Sequence, residues 1–445
     1  EAYKMRPWST AAATLVILGL AAQCAKAGEQ PVEAPPATPA AGSATANAAD
    51  GLIASPEPDW PQWRGPRRDG VSAETGLLPR WPAQGPRLLW KKDKLGTGWA
   101  SPIVVKGRIY IAGDVDDELI VFALDLNGNL RWQSANGKAW TGSFPGSRAS
   151  CAYSEGRIYQ VNAHGRVACL EAENGKEVWA ADVLERFQAK NITWGISECL
   201  LVDGARLIVT PGGPKALMAA LDKKTGDTLW TTPPLGEDRT SYSSPILFRH
   251  GGRKLLANCT SAHGFGVDAE TGKLLWSVAL KNQFGVNVTT PLYGSGRVFY
   301  VTAYTPAVQC RLVAAGSGIE AERTWTNALD TVTGGGVLVD GRLYAAGYHK
   351  PKWWFAFDWA TGKTLGEQKA LTTGAAVHAD GRLYCLAEDG RAAMLSPSDS
   401  GLGIVGQFRL VPKTNRDAWA HPVLLNGRLY LRYHDTLWCY DVRAE

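Results

Sequence analysis

The strongest constraint in this 445-residue chain is an internal repeat built from two short signals. The first, G-R-[ILV]-[YF], begins at Gly107, Gly156, Gly296, Gly341, Gly381 and Gly427, with weaker copies at Gly204 and Gly252. The second resembles D-x-x-T-G-K-x-x-W and follows the first within each unit. Successive copies lie roughly 40 to 50 residues apart, which is the spacing of four-stranded propeller blades. The repeat therefore predicts an eight-bladed β-propeller.

Each unit has the pattern of a four-stranded antiparallel blade. In the first unit, residues 101–105 and 108–112 are rich in Ile, Val and Tyr and meet at a turn that begins with Lys106. Asp-Gly or Asn-Gly occupies this turn in later units, for example at Asp340 and Asn426. Such pairs accept the positive φ that a two-residue hairpin needs. Because the repeats show no sustained helical period, the predicted class is all-β.

A large ring recurs at the end of the second signal. The positions are Trp132, Trp179, Trp230, Trp276 and Trp325, with Phe408 in the seventh unit. A ring there can fill the wedge between neighbouring blades and bury about 150–250 Å². The preceding turn glycines leave room for a close approach; they are Gly175, Gly226, Gly272 and Gly362. We interpret these rings as core, and not as a redox or stacking site.

The two ends of the repeat region complement each other. The last unit, residues 418–445, contains three strands and no fourth. Residues 85–91, G-P-R-L-L-W-K, have the pattern of a fourth strand without its other three. We expect this N-terminal strand to complete the last blade, because closure of the ring hides sheet edges.

The first 58 residues differ in composition from the repeats. Residues 1–27 resemble a signal peptide that starts at Met5, with an apolar run at 11–20 and an A-x-A site at 25–27. The run is too short for a comfortable membrane span. An alternative interpretation takes 20–24, L-A-A-Q-C, as a lipobox with a lipidated Cys24. Both interpretations predict export.

The segment that follows is rich in Ala and Pro. Residues 28–58 carry almost nothing to bury and predict a disordered linker, which leaves 59–445 for the propeller. The net charge of +5 is not gathered into a basic stripe interleaved with aromatic residues. This pattern argues against nucleic-acid binding.

Cysteine and histidine spacing predicts no metal or haem site. Seven cysteines follow Cys24, without a C-x-x-C pair, a C-x-x-C-H segment or an adjacent Cys-Cys. They are buried thiols or form one or two disulfides. Cys151 and Cys199 occupy the same strand position in adjacent units, so a bond between them and two free thiols both stay open. The seven histidines lack the spacing of metal ligands.

Several strings resemble the tryptophan-docking motif of the PQQ-like (quinoprotein-type) β-propellers. They are L-D-L-N-G at 124–128, D-K-K-T-G-D-T-L-W at 222–230 and D-A-E-T-G-K-L-L-W at 268–276. This family includes quinoprotein alcohol dehydrogenases and the lipoprotein B of the outer-membrane barrel-assembly machinery. Residues 60–72, W-P-Q-W-R-G-P-R-R-D-G-V-S, resemble the lead-in of a bacterial subgroup. The resemblance implies an eight-bladed propeller, but a fold alone does not assign a function.

Two functions follow from this resemblance. A quinoprotein dehydrogenase needs a platform for the quinone, a Ca²⁺ ion held by carboxylate and amide oxygens, and an Asp base. This chain has no Cys-Cys ring, no haem segment and few long insertions between units. We therefore favour an exported, non-catalytic binding or scaffold protein of the bacterial cell envelope, monomeric and with an envelope protein partner. The alternative is a PQQ- and Ca²⁺-dependent dehydrogenase of alcohols or sugars, for which no catalytic residue is assigned.

The best candidate site is the mouth of the central channel, where the innermost strand of each blade begins. Unusual residues occur there in six units: Trp99, Arg148, Trp194, Glu198, Tyr242, Asn287, Trp419 and His421. Only a closed ring would bring them together. Their chemistry suits a small polar ligand. The alternative is that Arg148 and Glu198 form an ion pair that plugs a solvated channel.

Overall fold

The computed structural model describes residues 49–316, 318–332, 335–349, 351–398, 401–412, 414 and 417–444. Within these ranges the chain forms 33 β-strands and one short helix, α1 Val183–Arg186. The expected signal peptide, the candidate Cys24 and the first part of the expected linker lie outside the described residues. No helix in the described ranges is long and apolar enough to cross a membrane.

The strands fall into eight sheets, which we number as blades along the chain. Two strands precede the repeats: β1 Gly51–Leu52 and β2 Arg87–Lys92. Blades 1 to 4 contain β3 Ile103–Val105, β4 Arg108–Val115, β5 Glu118–Asp125, β6 Leu130–Lys138; β7 Ala152–Ser154, β8 Arg157–Val161, β9 Arg166–Glu171, β10 Glu177–Asp182; β11 Leu201–Asp203, β12 Arg206–Val209, β13 Ala219–Asp222, β14 Thr228–Thr231; and β15 Ile246–His250, β16 Arg253–Cys259, β17 His263–Asp268, β18 Leu274–Ala279. Blades 5 to 8 contain β19 Leu292–Gly294, β20 Arg297–Thr302, β21 Thr305–Ala315, β22 Gly318–Asn327; β23 Gly336–Val339, β24 Arg342–Ala346, β25 Trp354–Asp358, β26 Thr364–Gln368; β27 Gly374–Ala379, β28 Arg382–Ala387, β29 Arg391–Ser398, β30 Gly401–Arg409; and β31 Val423–Leu425, β32 Arg428–Tyr433, β33 Thr436–Asp441.

The predicted eight-bladed, all-β propeller is confirmed. Each blade has four antiparallel strands, A to D from the axis outward, which follow chain order in blades 1 to 7. Blade 4 carries β1 as a fifth strand beside its strand A. The eighth blade takes its D strand from the N-terminal side: β2 pairs with β33, with Arg87 opposite Asp441 and Lys92 opposite Leu437. The ring is therefore closed by the two ends of the repeat region, as the sequence predicts.

The turns between strands A and B have the conformation that their sequences favour. Lys106, Asp340 and Asn426 take positive φ values of 49°, 49° and 52°. Each is followed by a glycine that is also in the left-handed region, which gives the two-residue hairpin. These tight turns place all A–B connections on one face of the ring, and the segments that enter strand A lie on the opposite face.

The recurrent tryptophans pack against the next blade. A Cβ atom added to Gly226 would lie 2.8 Å from the ring of Trp179, and one added to Gly175 would lie 2.5 Å from Trp132. The indole Nε1 of Trp132 also donates to the carbonyl of Ala172 at 3.0 Å. Trp132, Trp179, Trp230 and Trp325 therefore each fill the gap beside a turn glycine of the next blade, as predicted, whereas Trp276 packs against Gly266 of its own blade.

A lead-in segment, residues 49–86, runs across the face that carries the A–B turns. Its first strand, β1, adds to strand β15 of blade 4, with Leu52 opposite Phe248. The composition predicts a disordered linker up to residue 58, but its last part, residues 49–58, lies along the propeller because the free edge of β15 supplies backbone partners. Trp60 then pairs with Val104 of blade 1.

The middle of the lead-in crosses the central channel. Arg68 donates to the carbonyls of Cys199 and Leu200 in blade 3, at 2.7 and 3.0 Å. Arg64 donates to the carbonyl of Gly336 in blade 6. Both side chains are buried. The segment therefore closes this end of the channel, and the channel can open only on the face where the A strands begin.

Acidic side chains of the lead-in cap the exposed amides of several A–B turns. Asp59 accepts from the amide of Lys106 at 2.9 Å, and Glu57 accepts from the amide of Glu155. Glu74 accepts from the amides of Asn426 and Gly427, at 2.8 and 2.9 Å. Hydrogen bonds from amides to carboxylates are stronger than those to neutral acceptors, so these contacts fix the segment to the ring.

The cysteines of the described region are buried free thiols: Cys151, Cys169, Cys199, Cys259, Cys310, Cys385 and Cys439. Of the two alternatives for Cys151 and Cys199, the structure has two thiols. The sulfur of Cys199 instead accepts from the amide of Ser150 at 3.3 Å.

Candidate functional site

A cavity of about 440 Å³ lies on the axis, on the face opposite the A–B turns. We call it the axial funnel. It is lined by Trp63, Trp99, Phe144, Arg148, Trp194, Ser197, Cys199, Tyr242, Ser244, Phe284, Val286, Val288, Thr289, Thr290, Tyr304, Val332, Gly335, Tyr348, Trp419 and His421. Most of these residues are aromatic or aliphatic, so the site is far less polar than the sequence suggested.

The floor of the funnel comes from the lead-in segment. The ring of Trp63 packs edge-on against His421, with centroids 5.0 Å apart. The guanidinium groups of Arg64 and Arg68 also lie near this ring, at 5.6 and 5.9 Å from its centroid. Because Trp63 belongs to the segment that closes the channel, the funnel has a single mouth.

The wall is built from rings contributed by distant parts of the chain. The ring centroids of Trp99 and Trp419 lie 5.0 Å apart at an interplanar angle of 33°, and Phe144 packs against Trp419 at 5.3 Å. Trp194 and Tyr242 form a second pair at 5.9 Å. Tilted ring pairs at these distances attract each other beyond their burial. They give the funnel rigid, flat surfaces.

Trp419 is held from behind by a buried carboxylate. Its indole Nε1 donates to Glu388 Oε1 at 3.0 Å, and the other oxygen of Glu388 lies 3.2 Å from Lys352 Nζ. Burial is the main cause that raises the pKa of Glu388, and the Lys352 charge opposes it. Glu388 is therefore a positioning residue for the wall.

Arg148 is the only Arg or Lys that lines the funnel within the described residues. It donates to the carbonyls of Gly146, Phe144 and Ser143 in its own loop. Its guanidinium lies 5.5 Å from the ring of Trp99. Burial lowers its pKa to about 10, which keeps it charged at neutral pH.

Asp114 lies behind Arg148 and holds the same loop. Its Oδ2 accepts from the amide of Trp140 at 2.9 Å. Burial is the main cause that raises the pKa of Asp114 to about 6, against the opposing charges of Arg148 and Arg432. Asp114 offsets part of the Arg148 charge from outside the lining.

A belt of small polar side chains lies along part of the throat, two residues before the A strands of blades 1, 4 and 5. His421 donates its amide to Ser101 Oγ at 2.8 Å, and Cys199 donates its amide to Ser244 Oγ at 2.9 Å. These bonds join blade 8 to blade 1 and blade 3 to blade 4. Thr290 belongs to the same belt and is 3% exposed, and its Oγ1 has no partner in the structure.

This belt is not predicted from the sequence. Its signal is a small polar residue followed by proline before strand A, as in Ser101-Pro102, Ser244-Pro245 and Thr290-Pro291. Serine and threonine are common enough in turns that the pattern is weak without the ring geometry.

Six of the eight candidate residues line the funnel: Trp99, Arg148, Trp194, Tyr242, Trp419 and His421. Glu198 and Asn287 do not. Glu198 is buried and accepts from the amide and hydroxyl of Thr210. Asn287 donates to the carbonyl of Thr260.

The alternative ion pair of Arg148 with Glu198 is wrong. Each group has other partners, as the preceding contacts show, and Glu198 has the Arg68 charge near it. Burial is the main cause that raises the pKa of Glu198 to about 7. The residues that close the channel are those of the lead-in segment, which the sequence did not predict to enter it.

We tested the lining against the needs of a Ca²⁺-bound quinone. Ca²⁺ takes six to eight oxygen ligands, with carboxylates among them. The lining has no Asp or Glu among the described residues, and no group of three His, Cys, Asp or Glu side chains there suits a metal ion. The residues present therefore do not fit that group.

The fold defines a closed, eight-bladed propeller of the PQQ-repeat class. The chain belongs to the family whose model is described as outer membrane protein assembly factor BamB, which matches residues 117–365, more than half of the chain.

The individual relatives are of two kinds, an outer membrane assembly factor and quinone-dependent dehydrogenases. Outer membrane protein assembly factor BamB of Yersinia pestis is 25% identical over 283 residues, which cover 61% of this chain and 68% of that protein. A 1-butanol dehydrogenase (quinone) of Thauera butanivorans is 26% identical over 156 residues, covering 31% of this chain and 25% of the dehydrogenase. The crystal structure of a quinohemoprotein alcohol dehydrogenase from Comamonas testosteroni superposes with a TM-score of 0.59 at 14% identity, over 87% of this chain and 81% of that one, and shares the fold.

Proposed function

We propose that this protein is an exported, non-catalytic binding or scaffold propeller of the bacterial cell envelope. The observation that carries the proposal is the funnel: one closed end, aromatic walls, a single Arg, and no carboxylate in the described lining. Such a site can bind a ligand, but its described lining offers no carboxylate to hold a catalytic Ca²⁺ ion or to act as an Asp base. The name of the Yersinia pestis relative, an outer membrane protein assembly factor, supports the envelope location.

The rim of the funnel supplies the surface for a protein partner. Phe144 and Phe284 are 48% and 54% exposed, although large apolar side chains usually lie inside. Both belong to loops that lead into an A strand, Phe144 into blade 2 and Phe284 into blade 5, so they lie at different points around the mouth. Exposed aromatic residues around a concave site are typical of binding surfaces.

The competing function, a PQQ- and Ca²⁺-dependent dehydrogenase, predicts a different result in a simple assay. Purified protein is supplied with PQQ, Ca²⁺, an electron-accepting dye and a series of alcohols or sugars. We expect no substrate-dependent dye reduction. Turnover that requires both PQQ and Ca²⁺ would overturn the proposal.

The partner is sought by crosslinking in the native host. We expect an envelope protein to be recovered reproducibly with the wild-type chain, and its yield to fall when Phe144 and Phe284 are both replaced by Ser. Leu229→Ser is the matched control, because Leu229 is 49% exposed on the outer strand of blade 3, away from the funnel. Equal loss in the control, or no loss in the rim variant, would contradict a partner at the rim.

A further inference from the structure

The funnel combines features that point to a particular kind of ligand. It has flat aromatic surfaces, one cation and a buried hydroxyl without a partner. We propose that the axial funnel binds a small planar aromatic molecule carrying one carboxylate, without a metal ion. This inference rests on the proposed binding function and names the ligand class of the same site.

The walls select a flat ring. The rings of Trp99 and Trp419 pack against each other at an interplanar angle of 33° and form one aromatic surface, and Trp194 with Tyr242 forms a second. The volume of about 440 Å³ is in the range of small-molecule sites and holds a two-ring compound. Flat rings gain both from burial and from the preferred geometry of aromatic pairs.

The charge of the lining selects an anion. Arg148 is charged, and its three hydrogen bonds to loop carbonyls leave two of its five N–H groups for a ligand. No carboxylate in the described lining opposes it. A cationic ring compound would gain from the aromatic walls but would meet the Arg148 charge in a confined, poorly solvated space.

A second hydrogen-bonding group lies at the throat. Thr290 Oγ1 is buried and without a partner, although buried hydroxyls are normally paired. A ligand oxygen that reaches it would remove the desolvation penalty of this group. This observation is independent of the aromatic walls and of Arg148.

The test compares three probes of the same shape on the full chain, with a chelator present. They are 2-naphthoate, 2-naphthamide and 2-naphthyltrimethylammonium, measured by titration calorimetry. We expect 2-naphthoate to bind, the amide to bind roughly tenfold more weakly because it lacks the charge-assisted bond, and the ammonium compound not to bind below about 1 mM.

Variants locate the binding in the funnel. We expect Trp419→Ala to weaken 2-naphthoate binding about tenfold or more, since it removes one ring surface. Arg148→Gln should remove the preference for the acid over the amide. Trp353→Ala and Arg311→Gln are the controls, because both residues lie outside the lining and should leave the dissociation constant unchanged.

Arg148→Gln also loosens its loop, so Thr290→Val serves as a second variant that keeps shape and charge. It should weaken 2-naphthoate severalfold at an unchanged melting temperature. No binding of 2-naphthoate, stronger binding of the ammonium probe, dependence on Ca²⁺, or unchanged affinity in Trp419→Ala would each overturn the inference. None of these results depends on dye reduction or on crosslinking, so the inference and the proposed function fail separately.

Discussion

Buried charges of the lead-in segment tie the chain together at the scale of single residues. Arg68 bridges the lead-in to blade 3 through two backbone carbonyls, and Arg64 does the same toward blade 6. Burial lowers the pKa of both to about 10, so both stay charged in the interior. A buried cation of this kind is stabilising only while its hydrogen bonds are complete.

Arg68→Gln should therefore destabilise the protein by roughly 2 to 4 kcal/mol, because two charge-assisted bonds across the channel are lost. The neighbouring Arg67→Gln is the matched control: Arg67 is half exposed and forms a surface ion pair with Asp69, so its loss should stay within about 1 kcal/mol. The free energy of unfolding in urea gives the comparison. Equal losses would mean that Arg68 does not hold the lead-in.

Glu198 gives the protein a stability that depends on pH. Burial raises its pKa from the ordinary 4.5 to about 7, so the folded state prefers the protonated acid. Its contribution is fully present below pH 4.5 and is lost as the pH rises through about 7. Between pH 4.5 and about pH 7, ionisation of Glu198 should lower the free energy of unfolding of the wild type by up to roughly 3 kcal/mol.

Glu198→Gln is neutral throughout and should flatten the fall in melting temperature between about pH 5 and pH 8. A slope of the same sign remains from Asp114, whose pKa is raised to about 6. Glu173→Gln, an exposed position, is the control and should keep the wild-type profile. An unchanged profile in Glu198→Gln would show that the group is ionised in the folded protein.

At the scale of elements, the contact between one blade and the next depends on a ring and a glycine. Trp179 lies against Gly226, Trp132 against Gly175 and Trp90 against Gly128. The last of these pairs involves β2, so the N-terminal strand docks like any other outer strand. The repeated ring is thus the unit of blade-to-blade packing.

Two alanine substitutions separate the effect of the ring from that of the backbone. Gly107 and Gly226 have similar φ values of 74° and 78°, but only Gly226 faces a ring, with Trp179 at 2.8 Å from an added Cβ. Gly107→Ala should cost about 1 to 2 kcal/mol through the backbone alone. Gly226→Ala should cost a further 1 to 3 kcal/mol or so through overpacking. Equal free energies of unfolding would contradict the predicted wedge.

At the scale of the whole molecule, the N-terminal side of the chain has two separate structural roles. Strand β2 completes blade 8, and the lead-in before it closes the channel and provides Trp63 as the funnel floor. Different residues have these two roles, so truncations can separate blade completion from channel closure.

A chain that begins at Gly85 keeps β2 and loses the channel closure, and one that begins at Lys94 loses both. We expect the second to melt roughly 5 to 10 °C below the first, since it exposes the edge of β33 and leaves Tyr430 without the ring of Trp90. It should also self-associate in sedimentation. Equal melting temperatures would show that β2 does not close the ring.

Most of the fold could be predicted from the sequence, because the motifs that determine the blades are local and repeated. The turn before Gly107, the spacing of the units and the missing fourth strand in blade 8 each depend on short stretches of chain. The sequence also placed six of eight candidate residues at one cavity, since ring closure fixes where all A strands begin. The prediction that Glu198 lines the channel was wrong because a strand position does not show which hydrogen bonds a side chain forms. Glu198 accepts a hydrogen bond from Thr210 within its own blade.

The sequence by itself determined the number, order and closure of the blades, because these follow from periodic contacts between neighbours. The tertiary structure alone decided what fills the axis. Arg64 meets Gly336, and Arg68 meets Cys199, across separations of 272 and 131 residues. No local pattern records such contacts: they depend on where a closed ring leaves unpaired carbonyls and on which passing segment can reach them. For the same physical reason, the one-ended, aromatic character of the funnel appears only in three dimensions.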